Sequence, residues 1–159
     1  MTKAYQLLAK TFLSFSLLTS VAHAEGEVLL TVTHGESVIE YDQDGLGRLG
    51  TVTVETSTIW TDGVSSFTGV PLRNLAETLE VTEGVFLASA INDYTVEIPM
   101  SDAVEGGAVI AFLKDGEPMS VRDKGPLWVV YPYDDNPDYQ SEVTYSRSIW
   151  QLDRIETSE

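Results

Sequence analysis

The stretch Glu55–Leu75, ETSTIWTDGVSSFTGVPLRNL, decides how the rest of the chain is read. It runs out of a β-rich segment, crosses Trp60, Gly63 and Phe67, and starts a helix at Pro71. Proline suits the first helical turn, where the missing N–H would have had no intrahelical partner. Leu72, Leu75, Ala76 and Leu79 follow at i, i+3, i+4 and i+7, so one face of that helix belongs to a core. A strand that leads past a tryptophan and a glycine into a helix is how the rim of a cofactor pocket is often built. What such a pocket would hold depends on the chemistry available elsewhere.

Short β-type runs flank this stretch. EVLLTVTH, SVIEYD and TVTVETS precede it, rich in Val, Ile, Leu and Thr. Between the second and third lies DQDGLGRLG, whose three glycines in nine residues predict a loop. After the helix, GVFLASAI and YTVEIP read as two strands joined by a turn at Asn92-Asp93. MSDAVEGG reads as one helical turn with Ser101 as N-cap, stopped by Gly106-Gly107. AVIAFLKDGEPMSV is a strand, an Asp115-Gly116 hairpin turn and a return strand. GPLWVVYP is an apolar run expected to be buried on both faces, and YDDNPDYQSEVTYSR is a polar loop longer than a simple connector needs. SIWQLDRIE closes the chain as a strand. The expected fold class is α+β, one sheet-dominated domain with short helices.

Residues 1–24 carry Lys3 and Lys10, an apolar run broken by serines and threonines, and Ala22-His23-Ala24, the pattern of a cleavable secretory signal peptide. The run is short for a membrane span, which needs about 20 apolar residues. The expectation is therefore an exported, periplasmic domain covering residues 25–159, of a length suited to one core. The whole chain has 9 basic and 25 acidic residues, and losing Lys3 and Lys10 takes the net charge from −16 to −18. Such a surface repels nucleic acid and anionic lipid, because the cations that neutralise phosphates are scarce. The chain has no cysteine, which removes disulfides, thiolate catalysis and sulfur-ligated metals.

Motifs for catalysis or metal binding are weak. DQDGLG places Asp42 and Asp44 as the first two oxygens of a calcium loop, but Leu46 takes the third position, so a solvated acidic turn is the better reading. The same holds for DDNPD at 134–138. His34 alone after the signal segment makes neither a zinc site nor a nucleophilic triad. The sequence does not read as an enzyme. Aromatics are the stronger signal: Trp60, Phe67, Trp128, Tyr131, Tyr133, Tyr139, Tyr145 and Trp150 gather in the opening stretch and the C-terminal third. Phe67 and Trp128 are expected in the core. Tyr131 and Tyr133 face the same way at the end of the buried strand, by the period of two. Rings at strand ends beside a long loop suit a flat ligand.

TSTIWTDGVSSFTGVPLRNLAETL, ASAINDYTVEIPMSD, IAFLKDGEPMSVRDKGPLWVVYP and SIWQLDRIE, taken in order, resemble the sulfite-oxidase-type molybdopterin-binding domain over roughly residues 50–157. Each motif is weak alone, and their order and spacing carry the likeness. Catalytic members of that family hold molybdenum through a cysteine shortly before the tryptophan that Trp60 resembles, whereas Thr56-Ser57-Thr58-Ile59 stands here. Basic residues for a pyranopterin phosphate are also few: Arg48, Arg73, Lys114, Arg122, Lys124, Arg147 and Arg154. The resemblance therefore implies a small exported, cysteine-free branch that binds a free pterin without molybdenum. It further implies a sensor that partners with the periplasmic domain of a membrane-bound cyclic-di-GMP synthase or phosphodiesterase, linking pterin supply to biofilm formation. A pterin needs a stacking ring, groups that read its amino-pyrimidine edge, and donors for its ring carbonyl. Trp60, Tyr131 and Tyr133 are the stacking candidates, Asn92, Asp93, Asp134 and Asp135 the edge readers, and Arg147 and Ser148 the donors. Asn92-Asp93 reads equally as an ordinary turn. The rival readings are a molybdopterin-binding oxidoreductase-like protein or subunit, and a protein-interaction module without a ligand.

Overall fold

The computed structural model describes residues 26–158. The expected signal peptide lies outside the described residues. Among these residues ten strands form one sheet: β1 (Leu30–His34), β2 (Ser37–Tyr41), β3 (Val52–Ser57), β4 (Val64–Pro71), β5 (Val85–Ala90), β6 (Thr95–Pro99), β7 (Val109–Lys114), β8 (Glu117–Pro118), β9 (Leu127–Val130) and β10 (Trp150–Ser158). Three short helices accompany them, α1 (Gln43–Arg48), α2 (Leu72–Thr78) and α3 (Glu142–Arg147). The domain is mostly strand, so the helical part of the expected α+β class is small.

The strand order is β2-β1-β10-β9-β7-β4-β3, with β5 and β6 joined to β10 and β8 joined to β7. β10 is the hub. It runs parallel to β1 and antiparallel to β5 and β9, and its register slips twice, between Trp150 and Leu152 and again between Leu152 and Arg154. Every residue of β9 is buried, as a continuous apolar run requires. Leu72, Leu75, Ala76 and Leu79 are buried as the helical period demands, but Pro71 stands one place earlier than expected, ending β4 and serving as N-cap of α2. Asp115 and Gly116 both take positive φ in the β7–β8 hairpin, the geometry of a two-residue primed turn.

Four segments differ from the sequence expectation. DQDGLGRLG is not a loop: Asp42 accepts a 2.6 Å hydrogen bond from the Gly45 amide and caps α1, whose Leu46 is fully buried. The N-cap bond and the buried leucine offset the weak helix propensity of the two internal glycines. In VSSFTGVP, strand β4 buries Ser65, Phe67 and Gly69 on its inner face. Two of those three carry no apolar signal, which hides the alternation. Gly69 is required there, because a Cβ would overlap the Ile110 carbonyl and Ala111 Cα where β4 slips past β7. Ser101 is not an N-cap; it lies inside a 3-10 turn, Met100–Asp102, that Pro99 begins. The long polar segment after β9 holds a 3-10 turn at Pro137–Tyr139 and the whole of α3, capped by Ser141 accepting from the Thr144 amide. Among the described residues no helix is long and apolar enough to cross a membrane.

Candidate functional site

Where β10 begins, four pieces of chain converge: the turn after β3, the β5–β6 turn, α3 and the first residues of β10. They enclose a groove of about 260 Å³. Its walls are the rings of Trp60, Tyr94, Tyr145 and Trp150, and its base is Ala90 and Ile149. The polar residues of the lining are Asn92, Gln151, Ser146 and Ser148. The volume lies just below the range of drug-sized ligand sites, which suits one fused bicyclic ring.

The β10 bulge makes this lining possible. Successive residues of a regular strand face opposite ways, yet Trp150 and Gln151 both reach the groove. Gln151 takes φ of +53°, a left-handed conformation seldom adopted by a side chain of this kind. Three hydrogen bonds hold it: its amide donates to the Lys124 carbonyl at 2.9 Å, its carbonyl accepts from Ile91 at 2.9 Å, and its side-chain amide donates to the Val121 carbonyl at 2.7 Å.

Trp60 is fixed by three edge-to-face contacts, with ring centroids 5.9 Å from Trp128, 5.7 Å from Tyr145 and 5.6 Å from Trp150. Such pairs add about 0.5–1.5 kcal/mol each beyond the area they bury. Trp128 continues the cluster inward onto Phe67, and the Lys124 ammonium lies 5.4 Å and 5.7 Å from the ring centroids of Trp128 and Trp150. The groove wall is therefore a rigid aromatic block, not a set of loose rims.

Tyr131 and Tyr133, named above as stacking rings, are buried beneath the groove and offer it no face. The Tyr131 hydroxyl donates to Asp102 Oδ2 at 2.8 Å, and Arg147 Nη1 reaches the same oxygen at 3.1 Å. Burial, reinforced by the Asp102 charge, pushes the Tyr131 phenol far above its ordinary range. The Tyr133 hydroxyl lies 2.6 Å from Ser148 Oγ, which itself donates to the Thr144 carbonyl at 2.8 Å. The one serine proton is thus committed, so Tyr133 donates. Burial pushes the Tyr133 phenol up to about 12. Arg147 and Ser148 consequently tie α3 to the body of the domain, and only Ser148 also lines the groove.

The acidic candidates are dispersed. Asn92 lines the groove, while Asp93 turns to Arg154 in a 2.6 Å ion pair. Asp135 lies against a separate cleft beside Arg73 and Glu105. Asp134 accepts from the Ser57 amide and the Ser57 hydroxyl, each at 2.6 Å, which holds its carboxyl below the usual range. Of the nine residues named from the sequence, the groove gathers Trp60, Asn92 and Ser148. It adds Tyr94, Tyr145, Ser146, Trp150 and Gln151, of which Tyr145 and Trp150 stood among the aromatics already singled out. Tyr94 was legible only as the first residue of a strand, and a lining glutamine in a bulge leaves no sequence mark.

A molybdenum cofactor of the family's kind needs a thiolate and cations for its phosphate. In the stretch where the thiolate would stand, Thr56 is fully buried, its hydroxyl accepts from the Asp134 amide at 3.1 Å, and Ser57 is clasped by the Asp134 carboxylate. The groove lining contains no lysine or arginine. The thiolate-held, phosphate-bearing form of the cofactor therefore does not fit these residues.

The family described as the oxidoreductase molybdopterin binding domain matches residues 39–134, well over half of the chain. The match ends before α3 and β10, the elements that close the groove. The sulfane dehydrogenase SoxCD of Paracoccus pantotrophus has a similar solved structure, with a TM-score of 0.59 at 17% identity over 86% of this chain. The likeness covers 39% of that protein's length and shows a shared fold. No curated protein matches in sequence. The chain belongs to the oxidoreductase molybdopterin binding domain family and has the sulfite-oxidase-type fold, in a form without cysteine.

Proposed function

We propose that this protein is a non-catalytic periplasmic sensor that binds a free pterin in the aromatic groove. We propose further that it acts with the periplasmic domain of a membrane-bound enzyme that makes or degrades cyclic-di-GMP. The observation that carries the ligand reading is the groove itself: four rings around a space for one bicycle, with two primary amides at its edge, in a family described by molybdopterin binding. A pterin stacked on one of these rings gains about 1–3 kcal/mol, by analogy with nucleobases on aromatic platforms. Asn92 accepts from the Tyr94 amide through Oδ1 at 3.3 Å and keeps Nδ2 as a donor, while Gln151 donates Nε2 to the Val121 carbonyl at 2.7 Å and keeps Oε1 as an acceptor, one donor and one acceptor for an amino-pyrimidinone edge. Support for a regulatory role comes from the missing thiol and from a lining that holds no imidazole or carboxylate to serve as a general base. Residues 1–24 support export, and the partner rests on the sequence resemblance alone.

A second reading is favoured by one observation. Ile91, Tyr94 and Trp150 are well exposed and surround the groove mouth, as they would if a partner protein rather than a small molecule packed there. Protein purified from the native periplasm is denatured and the released small molecules are examined by fluorescence and mass. A pterin near one per chain, lost on Tyr94→Ala while the thermal midpoint holds, supports the sensor. No released molecule, with no thermal shift on adding oxidised or reduced pterins, refutes it and leaves the interaction module.

A further inference from the structure

We infer that the groove selects uncharged pterins and rejects those bearing a phosphate or a glutamate tail. This rests on the pterin reading above. The two arginines nearest the groove are already paired with carboxylates. Arg154, beside the Asn92 turn, is held by Asp93 at 2.6 Å and by Asp153 at 3.0 Å. Arg147, between two lining serines, is held by Asp102 at 3.1 Å. Lys124 packs its ammonium over the rings of Trp128 and Trp150, 5.4 Å and 5.7 Å from their centroids, and is not among the residues that line the groove. The lining itself is uncharged, made of amides, hydroxyls, rings and the aliphatic side chains of Ala90 and Ile149.

An anionic substituent entering there would lose water without gaining a partner. Burying a charge is costly unless it is paired. It would also meet the field of a strongly acidic protein, with a net charge of −16 over the full chain. A phosphate carries about −1.5 to −2 charges at neutral pH and normally calls for arginine or lysine. The uncharged ring meets none of these penalties and keeps its stacking and amide contacts. The same chemistry separates this site from one built for a phosphorylated pyranopterin: the domain retains a place for the ring and lacks one for the phosphate.

The test is calorimetric titration of the exported chain with neopterin, neopterin phosphate and folic acid, at low and at high salt. Neopterin is expected to bind at least tenfold more tightly than either anion, with an affinity insensitive to salt, while the anions gain affinity as salt screens the acidic surface. Ser146→Arg, which places a cation on the exposed side of the lining, is expected to narrow the gap by several-fold. Equal binding of neopterin and its phosphate in the natural chain would overturn the charge selection and leave the pterin reading standing. No binding of any of the three would overturn both together. If the variant fails to fold, the salt dependence of the natural chain still decides the matter.

Discussion

Removing the hydroxyl of Tyr133 and that of Ser148 should have unequal effects, and their combination should be less than additive. In Tyr133→Phe, Ser148 keeps its 2.8 Å bond to the Thr144 carbonyl and loses only an incoming donor. The expected cost is about 1 kcal/mol, that of one net hydrogen bond. In Ser148→Ala, the Thr144 carbonyl loses its donor and the Tyr133 hydroxyl is left at 2% exposure without an acceptor. One lost bond plus the desolvation penalty of an orphaned donor comes to about 2–4 kcal/mol. The double variant has no phenol to orphan, so it should cost about 2 kcal/mol and show a coupling of about 1–3 kcal/mol between the two sites. Urea unfolding measures all three, with an unchanged m-value as the check that only the folded state has been altered. Each kcal/mol should also lower the thermal midpoint by about 4 °C for a domain of this size. Strictly additive costs, or a Tyr133→Phe variant as unstable as Ser148→Ala, would refute the assigned direction of the chain of hydrogen bonds.

Three further outcomes are expected. Gly69→Ala should destabilise by about 1–3 kcal/mol or more, because the new methyl meets backbone that cannot withdraw; a neutral effect in urea would show that β4 and β7 can part there. The buried phenols of Tyr131 and Tyr133 titrate above their unfolded value of about 10, so the unfolded state releases protons first and stability falls as pH rises past 10, by about 1.4 kcal/mol per pH unit for each phenol. For Tyr133 the loss ends near pH 12, and Tyr131→Phe should make the decline in unfolding free energy shallower. Asp134→Asn should speed amide hydrogen exchange at Ser57, and in the natural chain the same contact should be lost as pH falls through the lowered carboxyl titration; unchanged exchange would mean the 2.6 Å clasp contributes nothing.

The parts of the fold that were legible beforehand are those where burial falls on apolar side chains. α2, β9 and the β7–β8 hairpin show their period or their turn residues directly. β4 was missed because serine and glycine occupy two of its inward positions, and α1 because its glycines outweigh a capping aspartate in any propensity count. α3 was hidden for a related reason: it buries one residue, Thr144, and is held by Arg147 and Ser148 instead of by an apolar stripe. At the site, the presence of an aromatic cluster could be read from spacing, but which rings face the groove could not. Tyr131 and Tyr133 lie past the end of β9, where the Tyr133 amide donates back to the Tyr131 carbonyl, and both rings are in the interior. Gln151 reaches the groove only because β10 slips register, and nothing in SIWQLDRIE marks the slip.

The aromatic block has an optical consequence. The chain contains three tryptophans, and Trp60 touches both of the others across ring centroids 5.9 Å and 5.6 Å apart. The tryptophan emission of the protein therefore originates within one aromatic cluster at the groove. A pterin lying against that cluster absorbs where tryptophan emits, so the bound state should quench the protein's glow and light the ligand in its place. No label needs to be attached: the molecule carries its own gauge of whether the groove is filled.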